Sequence, residues 1–307
     1  MKYISSIITV TQGDWQYLKE WIEYHHNIGI NLFLIAYNGP KEKMKDLPKY
    51  DYVKYYDYST SDNPLFSQFT EKGKEFSGWI FEDKEYDMRI MQQIENQLLR
   101  ELIYFFPMVK YCCVIDVDEF IDIHSGPKNI TFHLDRNFNK KEYPAIKIQM
   151  RFYTDNNQIY NNFWANVRER FTEKYKDVNA YKDPGMGKSI LNLWHNDVRY
   201  GKTKLNSPHT CFNMPNYVIP PKEIELNHYW TKSLEEWISK FNPENDKHYL
   251  HRFPNIMFKN FFSMNKITEE KLKAIPELLK KYNIDYDPLK EADENFVNQY
   301  KKANSII

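Results

Sequence analysis

The stretch that decides the fold is Tyr111–Asp122, which reads YCCVIDVDEFID. Its first five residues are apolar and favour β structure, as in a strand that is covered on both faces. Three acids follow at once: Asp116, Asp118 and Glu119. Ligands of open α/β sheets bind beyond the carboxyl ends of parallel strands, and carboxylates there suit a hard cation that also binds phosphate. The stretch predicts such a metal site, with solvated acids at a strand end as the alternative.

The residues before this stretch alternate between strand and helix patterns. Strands are predicted over Tyr3–Thr11, Asn31–Tyr37 and Tyr52–Tyr58. Between the first two, a helix is expected to bury Leu18, Trp21, Ile22 and His25. Gly29 should end that helix in the left-handed conformation. A further helix over Asp87–Phe105 leads into the decisive strand, so the order predicts βαβ units with right-handed crossovers.

The residues after the stretch predict a change of architecture. Ala145–Tyr153 alternates apolar and polar residues, which indicates a half-solvated strand in an antiparallel or mixed arrangement. Residues 266–307 have the pattern of an appended helical tail. The fold class predicted is therefore α/β: a Rossmann-like mixed sheet flanked by helices, with a C-terminal helical extension.

Composition excludes several classes of protein. Lys+Arg and Asp+Glu balance at 42 each, which gives no overall field to recruit nucleic acid. The three cysteines form neither a disulfide framework nor a zinc motif. No secretory signal or apolar run of membrane-spanning length is evident. A cytoplasmic protein is expected, with peripheral association at the inner face of the membrane left open.

Four motifs occur in a recognisable order. They are TVTQGDWQYLKEWIEYHHNIGI near the start, VIDVDEF in the middle, RERFTE followed by GKSILN, and NHYWTKSLEEWISK toward the end. Together they resemble glycosyltransferase family 92 and its bacterial galactosyltransferase-like relatives, which have a GT-A fold. The last motif is the most specific of the four, since an Asp-x-Asp alone is common. The resemblance implies a GT-A-like glycosyltransferase domain over 1–265, with a nucleotide-sugar half at 1–122, an acceptor half at 123–265, and a helical tail at 266–307.

The resemblance implies a metal-dependent, inverting hexosyltransferase. It would move galactose or glucose from a UDP-sugar to a cell-surface glycan or lipid-linked acceptor, as in polysaccharide biosynthesis. Mn²⁺ or Mg²⁺ would be held by Asp116, Asp118 and His228 and would offset charge on the leaving diphosphate. A histidine that only packs against its neighbours is an equally good interpretation of His228. Ser233 and Glu236 are interpreted as a helix capping box.

The remaining site predictions concern the donor and the general base. Donor contacts are assigned to Asp116, to the end of the first strand (Thr9 and Thr11), to one helix face (Arg89 and Gln93) and to two lysines (Lys188 and Lys232). The alternative is that the helix face is solvated and the lysines are surface charges. An inverting transfer needs a base for the acceptor hydroxyl. Asp155 is the first choice, and Glu169 and Glu173 are close rivals. Trp164, Trp194 and Trp230 are expected in the core, with stacking on an acceptor sugar as the alternative.

Two other functions compete with this interpretation. A strand-end Asp-x-Asp also occurs in phosphatases of the haloacid-dehalogenase type, but these need a second acidic cluster near the C-terminus, which the sequence lacks. A non-catalytic carbohydrate-binding protein with a degenerate site is the other alternative. The presence of Asp116, Asp118 and His228 argues against it.

Overall fold

The computed structural model describes most of the chain. The described residues are 5–11, 17–37, 39, 41–58, 84–139, 142–162, 164–176, 187–202, 205–207, 210–211, 217–242, 257–290 and 294–305, without the side chains of 84–93, 206–207 and 210–211. They divide into two compact units. Unit 1 comprises Met1–Arg151 and Asp177–His228, and unit 2 comprises Phe152–Lys176 and Tyr229–Ile307.

The strands and helices follow the alternation expected from the sequence. The strands are β1 Ser5–Thr11, β2 Leu32–Tyr37, β3 Val53–Asp57, β4 Tyr111–Val114, β5 Glu119–Ile123, β6 Ala145–Phe152, β7 Gly187–Asn192, β8 Leu205–Ser207, β9 Thr210–Cys211 and β10 Ile224–His228. The helices are α1 Leu18–Asn27, α2 Lys84–Phe105, α3 Ile130–Asn139, α4 Val167–Arg170, α5 Asn196–Arg199, α6 Leu234–Ser239, α7 Met257–Met264, α8 Glu269–Lys281 and α9 Glu294–Ala303. Short 3₁₀ turns occupy Lys41–Asp46 and Pro288–Lys290.

Unit 1 is built on a mixed sheet. Among the described residues, eight strands form this sheet in the order β3-β2-β1-β4-β7-β6-β10-β5, and β8 pairs with β9 separately. The pairs β1–β2, β1–β4 and β2–β3 are parallel, whereas β4–β7, β6–β7 and β10–β5 are antiparallel. The predicted α/β, Rossmann-like mixed sheet with flanking helices is therefore confirmed.

The first βαβ unit forms as its residue pattern predicts. Leu18, Trp21, Ile22 and His25 are the buried residues of α1. Gly29 has φ +102°, and a side chain there would meet Asn129, so the position favours glycine on both counts. The buried indole of Trp21 donates from Nε1 to the Glu119 carbonyl oxygen, at 2.9 Å. The opening helix therefore packs against the strand that begins at the acidic motif.

The prediction of a half-solvated strand at Ala145–Tyr153 is wrong in one respect. The strand β6 is antiparallel to β7, as expected, and Gln149 and Arg151 on its polar side are partly exposed. Lys147 is the exception: its side chain is 7% exposed, and its backbone also pairs with the segment at Tyr217 and Val218. Alternation in sequence reports side-chain chemistry and does not show that one polar position is buried.

Unit 2 has a helical core of its own. Residues of α6 and α7 pack in one cluster with those of α8 and α9: Leu234, Trp237, Phe241, Phe258, Phe261, Leu272, Ile275, Leu278, Phe296 and Tyr300. The predicted C-terminal helices are thus confirmed, and they share this core with residues before 265. Whether a boundary at residue 265 separates parts that fold independently stays a prediction.

Two exposed tryptophans contradict a sequence prediction. Trp164 and Trp194 are 99% and 46% exposed, so neither is a core residue. Trp230 is half-buried and packs edge-on against Trp237, at 5.1 Å between ring centroids. Cys112 and Cys113 are buried, as expected. Within the described ranges, the helices are too short or too polar to cross a bilayer.

Candidate functional site

The acidic motif forms a tight turn between β4 and β5. Tyr111–Val114 runs parallel to β1, the chain turns at residues 115–118, and β5 then pairs at the far edge of the sheet. Two hydrogen bonds close the turn: the Glu119 amide donates to the Asp116 carbonyl oxygen at 3.0 Å, and the Asp116 amide donates to Glu119 Oε2 at 2.8 Å. The Asp116 side chain is partly exposed and that of Asp118 is nearly buried. The motif is therefore a fixed turn.

Strand pairing brings His228 to the same turn. His228 ends β10 and lies directly opposite Glu119, the first residue of β5. Its Nε2 lies 3.5 Å from Asp118 Oδ1. Its Nδ1 lies 2.9 Å from Met150 Sδ and 3.8 Å from Glu119 Oε1. The structure thus brings together a carboxylate and an imidazole that are far apart in the sequence.

Lys188 supplies a buried positive charge beneath the turn. It lies in β7, its side chain is 1% exposed, and its Nζ donates to Asp116 Oδ2 at 2.6 Å. The same ammonium lies 3.4 Å from Glu119 Oε2. Burial by itself would lower the pKa of Lys188, but Asp116 and Glu119 outweigh that effect and raise it. Lys188 is therefore an internal counter-ion for two of the three acids.

A fourth acid, Glu95 of α2, lies within electrostatic reach of this cluster. It is 1% exposed, and its Oε2 has no hydrogen-bond partner. Burial raises the pKa of Glu95 to about 8, because Lys188 only partly offsets the loss of solvation. Burial also raises the pKa of Glu119, against the lowering effect of Lys188. Four carboxyl groups thus share one buried lysine and one histidine.

The donor atoms fit a divalent cation held by few protein ligands. Asp118 Oδ1 and His228 Nε2 are close enough to bind one ion, and oxygen with imidazole nitrogen is a ligand set that Mn²⁺ accepts. No group of three or more His, Cys, Asp or Glu residues forms a metal cage in the part of the chain that the structure describes. Phosphate oxygens and water would have to complete the coordination, as is usual for Mg²⁺-type sites.

The residues assigned to the donor have different environments. Thr9 and Thr11 are buried near the carboxyl end of β1, and their Oγ1 atoms have no hydrogen-bond partner. Arg89 and Gln93 belong to α2, but their side chains lie outside the described residues. Lys232, in unit 2, is 1% exposed and has a left-handed backbone, with φ 54°. The donor roles of all five stay predictions.

The first-choice base, Asp155, lies in a buried ion pair of unit 2. It is 2% exposed, and its Oδ2 lies 2.5 Å from the Nζ of the fully buried Lys271. Its Oδ1 accepts from the Asn157 amide at 2.9 Å, and its own amide donates to Asn265 Oδ1 at 2.7 Å. Burial raises the pKa of Asp155, and the Lys271 ion pair opposes that rise. These contacts stabilise the turn at residues 154–157 against α7 and α8.

The rival bases lie beside a buried ion pair that ties two motifs together. Arg170 donates to both carboxylate oxygens of Glu236. Glu236 also completes the predicted capping box, since Ser233 Oγ accepts from the Glu236 amide at 3.2 Å. Glu169 and Glu173, by contrast, are exposed. The capping box is confirmed, and Arg170 is a buried charge whose partner, Glu236, lies in α6.

A comparison with protein-family models matches residues 5–281 to the family described as Glycosyltransferase family 92. The chain belongs to glycosyltransferase family 92. It is therefore a glycosyltransferase, a class that implies a nucleotide-sugar donor and a glycan acceptor. The same match confirms the family resemblance that the four motifs indicate and does not support the phosphatase alternative.

Comparisons with individual proteins add little to the family match. No curated protein matches this family 92 chain. Among solved structures, a UDP-glucose pyrophosphorylase complexed with UDP-glucose is similar at 8% identity and a TM-score of 0.23, over 98% of this chain and 99% of that one. A likeness this weak carries no argument about function.

Two features of the site in this family 92 chain were not predicted from its sequence. In the sequence, Glu95 is one position of an amphipathic helix, and only the packing of α2 on the sheet places it near Lys188. The Arg170–Glu236 pair links the third and fourth motifs, which are far apart in sequence. The one feature of the sequence that could have indicated this pair is that Arg170 and Glu236 both belong to the motifs.

Proposed function

We propose that this glycosyltransferase moves a hexosyl unit, galactose or glucose, from a UDP-sugar to a growing cell-surface polysaccharide or lipid-linked glycan. The proposal includes a bound Mn²⁺ or Mg²⁺ and inversion at the anomeric carbon. The observation that carries it is the 3.5 Å approach of Asp118 Oδ1 to His228 Nε2 beside the turn at the end of β4. Family membership supplies the reaction class.

The residues around the turn have distinct roles in this proposal. Asp118 and His228 hold the cation, and Asp116, fixed by Lys188, presents its remaining carboxylate oxygen to the cation or the donor. The cation, when bound, offsets the negative charge that builds on the departing diphosphate. His228 binds through Nε2, because Nδ1 faces Met150 Sδ and the Glu119 carboxylate.

The donor's remaining contacts are proposed on elements of unit 1. The end of β1, at Thr9 and Thr11, would receive the nucleotide base through its backbone, with two unpartnered hydroxyls nearby. A donor role is also proposed for Arg89 and Gln93 of α2, and Lys188 is proposed near the phosphates. Lys188 acts there through Asp116, since its ammonium is engaged by that carboxylate.

In the transfer step, the acceptor hydroxyl oxygen forms a bond to the anomeric carbon. The bond from that carbon to the diphosphate oxygen breaks, and its electron pair leaves with UDP. A carboxylate takes the hydroxyl proton. Exposed Glu169 and Glu173 now rank above Asp155 for this role, because Asp155 is buried and paired with Lys271.

A binding screen tests the donor and the metal together. UDP-galactose, UDP-glucose and UDP should each raise the melting temperature of the wild type in the presence of Mn²⁺, because a ligand that binds only the folded state stabilises it. Asp118→Asn should lose this Mn²⁺-dependent shift together with donor hydrolysis. Full activity in excess chelator would refute the metal role. Tight donor binding without any turnover would favour the non-catalytic carbohydrate-binding protein.

A further inference from the structure

Trp164 is presented to solvent by unit 2 with almost its whole side chain free. It is 99% exposed, more than any other large hydrophobic residue of the described ranges. Tyr160, four residues earlier, is 53% exposed. An exposed indole loses the hydrophobic stabilisation that burial would give it. A side chain of this size that contacts so little of its own protein is available to contact something else.

The loop that carries Trp164 is held at both ends. At its start, the Asn161 amide donates to Glu235 Oε2 at 2.7 Å, and Glu235 is itself bound by Lys281 Nζ at 2.5 Å. Within the loop, the Trp164 amide donates to Asn162 Oδ1 at 3.3 Å. At its end, α4 begins after Asn166, whose Nδ2 donates to Glu169 Oε1 at 3.3 Å. The indole therefore stands on an anchored loop.

Three asparagines flank Trp164 in the sequence of this loop. Asn162 and Asn166 are exposed, and Asn161 Oδ1 is buried without a hydrogen-bond partner. Amides offer both donors and acceptors, which suits the hydroxyl groups of a sugar. The face of an indole carries partial negative charge and attracts the partially positive C–H bonds on one side of a pyranose ring. The loop thus combines the two kinds of contact that carbohydrate recognition needs.

We propose that residues 160–162 and 164–166 form an acceptor-binding subsite, in which Trp164 stacks on a pyranose ring of the acceptor glycan and the neighbouring amides bind its hydroxyls. This assignment rests on the proposed function for the identity of the acceptor as a glycan. The loop has no charged residue at positions 160–166, which favours a neutral sugar over an anionic lipid surface, since the latter would select for Lys and Arg.

Binding of soluble oligosaccharides tests the subsite without any transfer reaction. Cellotriose, maltotriose and lactose serve as pyranose probes, glycerol serves as a polyol without a ring, and binding is followed by saturation-transfer NMR of the sugar protons. At least one oligosaccharide should bind the wild type, and glycerol should not. Trp164→Ala should weaken that binding about tenfold, the loss expected for one aromatic stacking contact. Trp164→Phe should retain most of the affinity because it keeps an aromatic face.

Trp194→Ala is the matched control, because Trp194 is an exposed tryptophan of unit 1 whose Nε1 donates to the Pro107 carbonyl oxygen and whose ring centroid lies 5.6 Å from Lys110 Nζ. It should bind the probes as the wild type does. Mn²⁺-dependent UDP binding, measured on the same samples, should be the same in Trp164→Ala as in the wild type. If the wild type does not bind UDP, that result counts against the proposed donor site and not against the acceptor subsite. The subsite is refuted if no oligosaccharide binds the wild type, if Trp164→Ala binds normally, or if Trp164→Ala instead changes oligomeric state or vesicle binding.

Discussion

Lys188 Nζ lies 2.6 Å from Asp116 Oδ2 in the interior of unit 1, and this contact joins the GKSILN motif to the acidic turn. The lysine reaches the turn because β7 lies next to β4 in the sheet. The neighbouring Gly187 allows close strand packing, since a Cβ there would clash with the Ile148 carbonyl oxygen. A buried ammonium that meets two carboxylates fixes the direction in which the turn presents its acids.

Replacing Lys188 with methionine should destabilise the protein and weaken the site together. Lys188→Met keeps the length of the side chain but leaves Asp116 and Glu119 without their buried counter-ion. Removing one partner of a buried pair costs about 3–5 kcal/mol. Urea unfolding measures the stability, and calorimetry with UDP and Mn²⁺ measures the site.

Lys202→Met is the control for loss of a lysine in the same unit. Lys202 is 71% exposed and lies 3.7 Å from Asp197, an arrangement that contributes roughly 0–1 kcal/mol. A Lys188→Met protein as stable as Lys202→Met would contradict the counter-ion role.

The sequence predicted local structure well because the forces that set it are local. The apolar spacing of α1 located Trp21 and His25 on the buried face, and the Ser-x-x-Glu pattern located the cap of α6. Each of these needs only a few consecutive residues, and both appear in the structure as predicted. The family motifs fixed the reaction class for the same reason: they are short and specific.

The sequence could not predict contacts that depend on strand order. His228 meets Asp118 because β10 pairs with β5 at a sheet edge, and no local pattern encodes that pairing; only the family resemblance placed the two residues together. Asp155 was the first choice as base because it follows a strand, yet its buried partner Lys271 comes from a distant helix. Trp164 was expected in the core on composition alone, whereas the loop presents it outward.

Glu95→Gln should change the pH dependence of stability. The pKa of Glu95 is raised from 4.5 to about 8, so its contribution is fully present below 4.5 and is lost as the pH rises through 8. Glutamine cannot ionise, and the variant should therefore gain stability relative to the wild type across this window. Melting temperatures taken at intervals from pH 5 to about pH 8 measure the difference.

Glu277→Gln, on the exposed side of α8, controls for the removal of one carboxyl group. Its melting temperature at each pH sets the background for removing one exposed carboxyl group. A melting-temperature difference between Glu95→Gln and the wild type that does not change with pH would show that Glu95 ionises at the same pH in the folded and unfolded chains, which would contradict the raised pKa.

His228→Gln should weaken metal-dependent nucleotide binding while leaving the fold intact. The imidazole is one of two proposed ligands, and its loss should lower UDP affinity in Mn²⁺ by at least about tenfold. In chelator, the variant and the wild type should bind UDP equally. His124→Gln is the control: that histidine contacts Glu225 at 3.1 Å and has no proposed role in the site. Equal losses in the two variants would argue against His228 as a ligand.

The three candidate bases should separate when rate and stability are measured on the same variants. Asp155→Asn should leave the buried Lys271 without its counter-charge and cost about 3–5 kcal/mol of stability. Glu169→Gln and Glu173→Gln change exposed side chains, so each should unfold as the wild type does. Loss of the base should lower kcat by about 10²-fold or more with the donor KM retained.

The base is therefore the residue whose variant loses kcat without losing stability. Glu277→Gln, an exposed change in the same unit, sets the background rate. If Glu169→Gln and Glu173→Gln both keep the wild-type kcat, the exposed candidates are eliminated. A loss confined to Asp155→Asn, measured below its unfolding transition, would then restore Asp155 and require its surroundings to open during turnover, because its side chain is 2% exposed and its two carboxylate oxygens are engaged by Lys271 and the Asn157 amide.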